Sequence, residues 1–281
     1  MTHRHCKAFI AYPIFFCLTL ILQGAALCSS ALPQEKAAEV SQEVADGRDQ
    51  DQTEASRWPE VSEDAVFYQT DFSKDWEEKQ WTLHGNSWKH KPDAEPPVLS
   101  QFQKTSEFKP PFRSPFHMGM LNLPIEGDFV IEATVKSTHE DYGHRDVCLF
   151  LGFHDPGHFY YVHLGKKTDP HANQIFIVNG EDRKSISLTT TEGTNWDHNW
   201  HRVRIERRVS TGDITVWFDD LEKPVMTAND TTFLEPGQIG VGSFDDTADF
   251  SFFRVYKFSK GKPKAEALEK DRRRLLSNRN D

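Results

Sequence analysis

Cysteine is nearly missing from this chain: of four cysteines, only Cys148 lies beyond the first thirty residues. A monomer that has lost its amino end can form no internal disulfide, so a packed core must hold the fold. Basic charge is also in deficit, with 33 Lys and Arg against 43 Asp and Glu and a formal net charge of −10. That balance argues against nucleic acid or an anionic membrane surface as the main partner. No Walker loop, dinucleotide fingerprint or Gly-x-Ser-x-Gly elbow occurs, which leaves nucleotide-dependent chemistry and that form of serine hydrolysis without a motif. Between the turn signals of the middle segment there is no apolar helix pattern of three turns. Parallel strands would need crossovers of a dozen residues or more, so an α/β fold is disfavoured.

Aromatic residues are abundant, at 12% with 21 Phe and 7 Trp, and suit a core between sheets or the lining of a groove. The amino end reads as an export signal over residues 1–31: Arg4 and Lys7 precede the apolar stretch Ala8 to Leu22, and small residues follow. We expect its removal, no stable membrane insertion afterwards, and a secreted, periplasmic or cell-envelope location. A retained amino-terminal anchor is the alternative. Residues 32–64 carry ten acidic and three basic residues and read as a flexible acidic linker. Residues 259–281 read as a charged tail, which leaves 65–258 to make one domain.

That domain reads as strands. Phe129, Ile131, Ala133 and Val135 share one face of an alternating run, opposite Glu132 and Thr134. Ile214, Val216 and Phe218 alternate in the same way, as do Val203, Ile205 and Val209 against Arg202, Arg204, Glu206 and Arg208. Asp155-Pro156-Gly157, Asn179-Gly180, Thr211-Gly212-Asp213 and Asp219-Asp220 punctuate the strands at hairpin spacing. The expected fold is all-β, a jelly-roll sandwich of two antiparallel sheets.

Several segments carry a family likeness. They are Phe72-Ser73-Lys74-Asp75-Trp76 with Trp81 and Trp88, Gly127 to Glu132, Trp200 to Arg207, Ile214 to Asp220, Gly237 to Gly242 and Asp249 to Val255. In these the chain resembles the concanavalin A-like lectin and glucanase superfamily, which includes laminin-G-type modules. More narrowly, over about residues 66 to 258, it is similar to the 3-keto-disaccharide hydrolase family of exported bacterial domains. The shared positions are mostly core and turn residues, so they speak for fold more than for chemistry.

The Glu-x-Asp-x-x-Glu strand motif of jelly-roll glucanases is absent, which removes the usual carboxylate pair. Polar chemistry concentrates from His139 to Asn173. Within it Phe159, Tyr161 and His163 share one face of a strand, and Tyr160, Val162 and Leu164 the other. If the first trio faces solvent, Tyr161 and His163 offer a saccharide an aromatic platform and a polar donor, with Arg145, Asn173 and Gln174 as further ligand contacts. The bland alternatives are packing for Tyr161, an ion pair with Glu140 or Asp141 for Arg145, and backbone satisfaction for the two amides.

The leading expectation is a carbohydrate-binding domain with a saccharide or glycoside partner. The second is a glycoside-cleaving enzyme, as the narrower resemblance implies. In that reading His163 or His139 is the base, Arg145 a charge clamp, and Asp146 or Asp155 an acid or orienting group. An envelope or protein-interaction module is the third. The superfamily resemblance also implies a structural calcium, for which Asp245, Asp246 and Asp249, or Asp219-Asp220, supply carboxylates. His154 and His158 with Asp155 form a weaker zinc candidate. Cys148, in an apolar strand, reads as a small buried side chain.

Overall fold

A computed structural model of the protein describes residues 58–258. The expected leader, most of the expected linker and the expected tail lie outside the described residues. Among those described, no helix is long and apolar enough to cross a membrane.

Sixteen strands follow in chain order: β1 (Val66–Thr70), β2 (Trp81–Leu83), β3 (Trp88–Lys91), β4 (Val98–Gln101), β5 (His117–Ile125), β6 (Phe129–Ser137), β7 (Asp146–Asp155), β8 (His158–Gly165), β9 (Gln174–Asn179), β10 (Lys184–Ser185), β11 (Ser187–Thr190), β12 (His201–Arg208), β13 (Asp213–Phe218), β14 (Met226–Asn229), β15 (Gly237–Ser243) and β16 (Ala248–Lys257). One sheet has the order β11-β14-β13-β12-β6-β16-β4-β3, with β1 added on β16; the other has the order β10-β9-β8-β7-β15-β5-β2. Every pairing is antiparallel. The two sheets form the expected sandwich.

The two-residue rhythm places the core. Phe129, Ile131, Ala133 and Val135 of β6 pack in the inter-sheet cluster with Val203 and Ile205 of β12 and with Val147, Leu149 and Leu151 of β7. Trp81 is buried there, and Trp76 and Trp88 pack against it, so these tryptophans are structural plugs. One detail of β12 differs from expectation. The strand ends at Arg208, and Arg207 rather than Val209 takes the next inward position after Ile205. Its guanidinium is 2% exposed and donates to the carbonyls of Gly212 at 2.7 Å, Asp230 at 3.1 Å and Phe233 at 3.3 Å. Those acceptors make burial of the charge tolerable at the end of the core.

The seven-stranded sheet has a second apolar face. Cys148 and Phe150 of β7, Phe159 and Tyr161 of β8, Phe176 and Val178 of β9, and Met118 and Met120 of β5 form a separate buried cluster. Each such side chain left in water would forgo roughly 1.5–3 kcal/mol. The segment between β4 and β5 covers them, with Phe108 and Phe112 packed against the cluster. Pro110, Pro111 and Pro115 occupy this segment; they lack the N–H that a ladder needs and keep it out of the sheet.

Candidate functional site

The β7–β8 face parity decides where the polar residues go. Tyr160, Val162 and Leu164 enter the inter-sheet core, while Phe159, Tyr161 and His163 turn to the opposite face as expected. That face is not open at Tyr161, however. Tyr161 is 0% exposed, inside the second apolar cluster, and its hydroxyl accepts a hydrogen bond from Arg183 Nη1 at 2.8 Å. It offers no solvent-facing platform, because Phe108 and Phe112 cover the face on which it lies.

Beyond Tyr161 the face ends in a cleft of about 290 Å³ lined by Arg113, Tyr142, His144, Asp146, His163, His171, Arg183, Phe244 and Asp245. This is near the lower end of small-ligand sites, roughly 300–1,000 Å³. Strand register assembles it. Cys148 pairs with His163 on one side and with Gly242 on the other, so Asp146, two residues earlier, meets the turn after β15. The Phe244 backbone N–H donates to Asp146 Oδ1 at 2.9 Å, and the Asp146 N–H donates to Asp246 Oδ2 at 3.0 Å. Tyr142 O–H donates to Asp246 Oδ1 at 2.8 Å.

Burial governs the charges here. It pushes the Asp146 carboxyl well above the ordinary carboxylate range, reinforced by Asp246 nearby. Asp246 is raised for the same first reason, against the opposing hydrogen bond from Tyr142. Desolvation lowers His163 to about 3, helped by the Arg183 charge, so its imidazole is neutral at physiological pH. Its Nδ1 accepts the Asn173 N–H at 3.3 Å, which places its proton on Nε2, 3.6 Å from Asp146 Oδ2. Burial likewise raises the Cys148 thiol, an inert, buried side chain as expected.

The other expected site residues are dispersed. Arg145 has the parity of Val147, so it turns away from the cleft: Nε donates to Ser137 Oγ and Nη2 to Ser137 O, each at 2.8 Å. Its Nη1 lies 3.8 Å from Asp141, so the predicted ion pair forms around a fully buried guanidinium. His139 sits behind Tyr142, with Nε2 3.5 Å from Asp246 Oδ1. Asp155 is at the far end of β7, about 30 Å away at the usual rise per residue, where it accepts from the Gly157 N–H at 2.7 Å and contacts His158 Nδ1 at 2.9 Å. His154 lies edge-on to Phe233. Asn173 is fully buried and donates to Thr191 O; Gln174 donates to Asp169 O and accepts from Ser185. Both amides satisfy the protein's own groups.

Among the described residues, two side-chain groups have donor types and spacing that could hold a metal ion: Asp146, Cys148 and His163, and Asp146, Asp245 and Asp246. In the first, the His163 tautomer puts a proton on the nitrogen that would have to bind the ion, which disfavours it. The second offers the oxygen donors that calcium takes. Its third acid is Asp146 and not Asp249, which points along the other sheet, 4.0 Å from Lys91. Asp219 instead binds His201 and the Arg202 N–H. Arg113, Arg183 and Phe244 were not legible as site residues, for they lie on a proline-rich segment, a hairpin turn and a strand end far apart in sequence.

The chain therefore has an all-β fold of two antiparallel sheets packed as a sandwich, consistent with a jelly roll. Among solved structures it is similar to the carbohydrate recognition domain of Emp47p, with a TM-score of 0.50 and 10% identity over 71% of this chain and 100% of that one. Weaker likenesses include carbohydrate binding module CBM66 from Bacillus subtilis, at TM-score 0.47 and 18% identity over 63% and 96% of the two chains. Another is lectin II from Ulex europaeus, at 0.45 and 16% over 67% and 97%. At these identities the likeness is one of fold. No protein-family model and no curated protein matches the sequence, so the narrower resemblance to 3-keto-disaccharide hydrolases has no such match behind it.

Proposed function

We propose that this is a carbohydrate-binding β-sandwich and that the cleft at the Asp146–Phe244 end is its saccharide site. The observation that carries the reading is the composition of that cleft. Tyr142, His144, His171 and Asp245 are exposed donors and acceptors converging on a concave wall, and hydroxyl groups need both kinds. Several proteins of like fold are themselves named as carbohydrate-binding. The glycoside-cleaving alternative needs a free base, and both ring nitrogens of His163 already face protein groups. Binding is thus the better-supported reading.

The test is a glycan array followed by calorimetry on the full chain. Saturable binding is expected, lowered about tenfold or more by His144→Ala with His171→Ala, both on exposed positions outside the acidic cluster. Absence of binding to any saccharide, or affinity untouched in the folded double variant, would remove this assignment.

We also propose that Asp146, Asp245 and Asp246 take calcium in a structural role. Without a cation, the protons held by Asp146 and Asp246 contribute stability below the unfolded carboxyl value of about 3.9. That stability is lost as pH rises from there through their raised folded-state values. Calcium replaces those protons. Millimolar calcium is therefore expected to raise Tm by several degrees near pH 8 and by less near pH 5 in thermal melts against EDTA. Equal Tm with and without calcium at both pH values would overturn the assignment.

A further inference from the structure

We infer that the cleft selects acidic saccharides, sugar rings bearing a carboxylate, and that Arg113 and Arg183 are the groups that read the charge. The inference rests on the saccharide reading above and adds the ligand class. Most arginines of the described residues are already engaged. Arg254 and Arg204 pair with Glu132, Arg208 with Glu206, and Arg145 with Asp141 and Ser137, while Arg207 is held by backbone carbonyls. Arg113 and Arg183 face the cleft, and among the described residues neither guanidinium forms an ion pair, the Asp182 carboxylate being met by the Arg113 backbone N–H at 2.9 Å, although the chain has ten more acidic than basic residues.

Arg183 has the geometry of a prepared receptor, with the exposed Arg113 beside it. The Arg183 guanidinium lies over Phe244 at 4.2 Å and over Phe176 at 4.7 Å. Its Nη1 is fixed on Tyr161 Oη, and its Nε is shielded from solvent without an acceptor. Arg113 lies over the same Phe244 ring at 5.9 Å. Tyr161 and the two rings hold the Arg183 fork in place, so a carboxylate that binds it orders little that is not ordered already. Phe244 carries guanidinium groups on its ring and is only 9% exposed, which leaves it little surface for stacking on a neutral sugar. A planar carboxylate fits the two-donor fork of arginine better than a lone ammonium would.

Calorimetry on the full chain tests this with uronate oligosaccharides, each matched to its methyl ester, and with a sulfated neutral oligosaccharide. The acid forms are expected to bind at least about 30-fold more tightly than their esters, with affinity falling as salt rises. Arg113→Gln and Arg183→Met are each expected to weaken uronate binding about tenfold, and the pair about 100-fold, and to weaken ester binding by a smaller factor. The ester comparison uses the unaltered protein, so it stands even if the Arg183 variant folds poorly. Esters bound as tightly as acids, a preference for the sulfated sugar, or uronate affinity unchanged in folded variants would overturn the inference and leave the saccharide reading intact. No binding of any of these sugars, charged or neutral, would remove the saccharide reading and this inference with it.

Discussion

Glu132→Ala is expected to destabilise the domain by about 3–5 kcal/mol. Glu132 lies on the outward face of β6 yet is 0% exposed, because β16 and β12 lay their long side chains over it. Arg254 donates through Nε at 3.0 Å and also through Nη2, Tyr256 O–H at 2.9 Å, and Arg204 Nη1 at 3.3 Å. Cross-strand register brings them together, since Glu132 is opposite Arg204 on one side and Arg254 on the other. The intact network contributes little net stability, because desolvation offsets much of the attraction. Losing the carboxylate is different: Arg254, 7% exposed, keeps only the Pro59 carbonyl at 2.9 Å, and the Tyr256 hydroxyl loses its acceptor. Glu132→Gln, which keeps acceptor capacity, should cost less than the alanine change. Arg204→Ala, at the more exposed partner, should cost about 1 kcal/mol or less. Urea unfolding of the three variants checks the order, and a Glu132→Ala loss below about 1 kcal/mol would mean that the cluster is solvated in solution.

The second large effect is expected at Trp196, in a polar segment with no strand rhythm. Its indole is 1% exposed, donates Nε1–H to the Leu164 carbonyl at 2.7 Å, and meets His201 and Phe218 edge-on at 5.1 and 4.9 Å. The ring therefore ties β8 of one sheet to β12 and β13 of the other. Trp196→Ala removes the largest fully buried side chain and should cost about 3–5 kcal/mol. Trp196→Phe keeps most of the packing and loses the hydrogen bond, leaving the Leu164 carbonyl without the indole donor, for about 1–3 kcal/mol. Thermal melts of both variants would show it; equal stability of the alanine variant and the parent would place the ring outside the core.

The site was only half legible. The separation of Tyr161 and His163 from Tyr160 and Val162 follows from alternation alone, and the burial of Cys148 from the continuous apolar run Val147 to Leu151. Alternation states which residues share a face, however, and not what lies against that face. Tyr161 and His163 share one face; the first is sealed under Phe108 and Phe112, and the second reaches the edge of the cleft. Arg145 and Asp146 are neighbours in sequence and point in opposite directions for the same reason. The acidic cluster joins Asp146 to Asp245 and Asp246 across about a hundred residues, a pairing that only the β7–β15 register reveals.

What the amino-acid sequence determined by itself was the strand content, the antiparallel sandwich and the choice of face at each strand position, because these depend on local chemistry with a period of two. What only the tertiary structure decided was which faces are covered and which distant residues converge. The cover comes from a proline-rich segment with no periodicity to read. The cleft of Arg113, Asp146, Arg183 and Phe244 exists because register and turn geometry, which no short window of sequence contains, bring four separate segments to one end of a sheet.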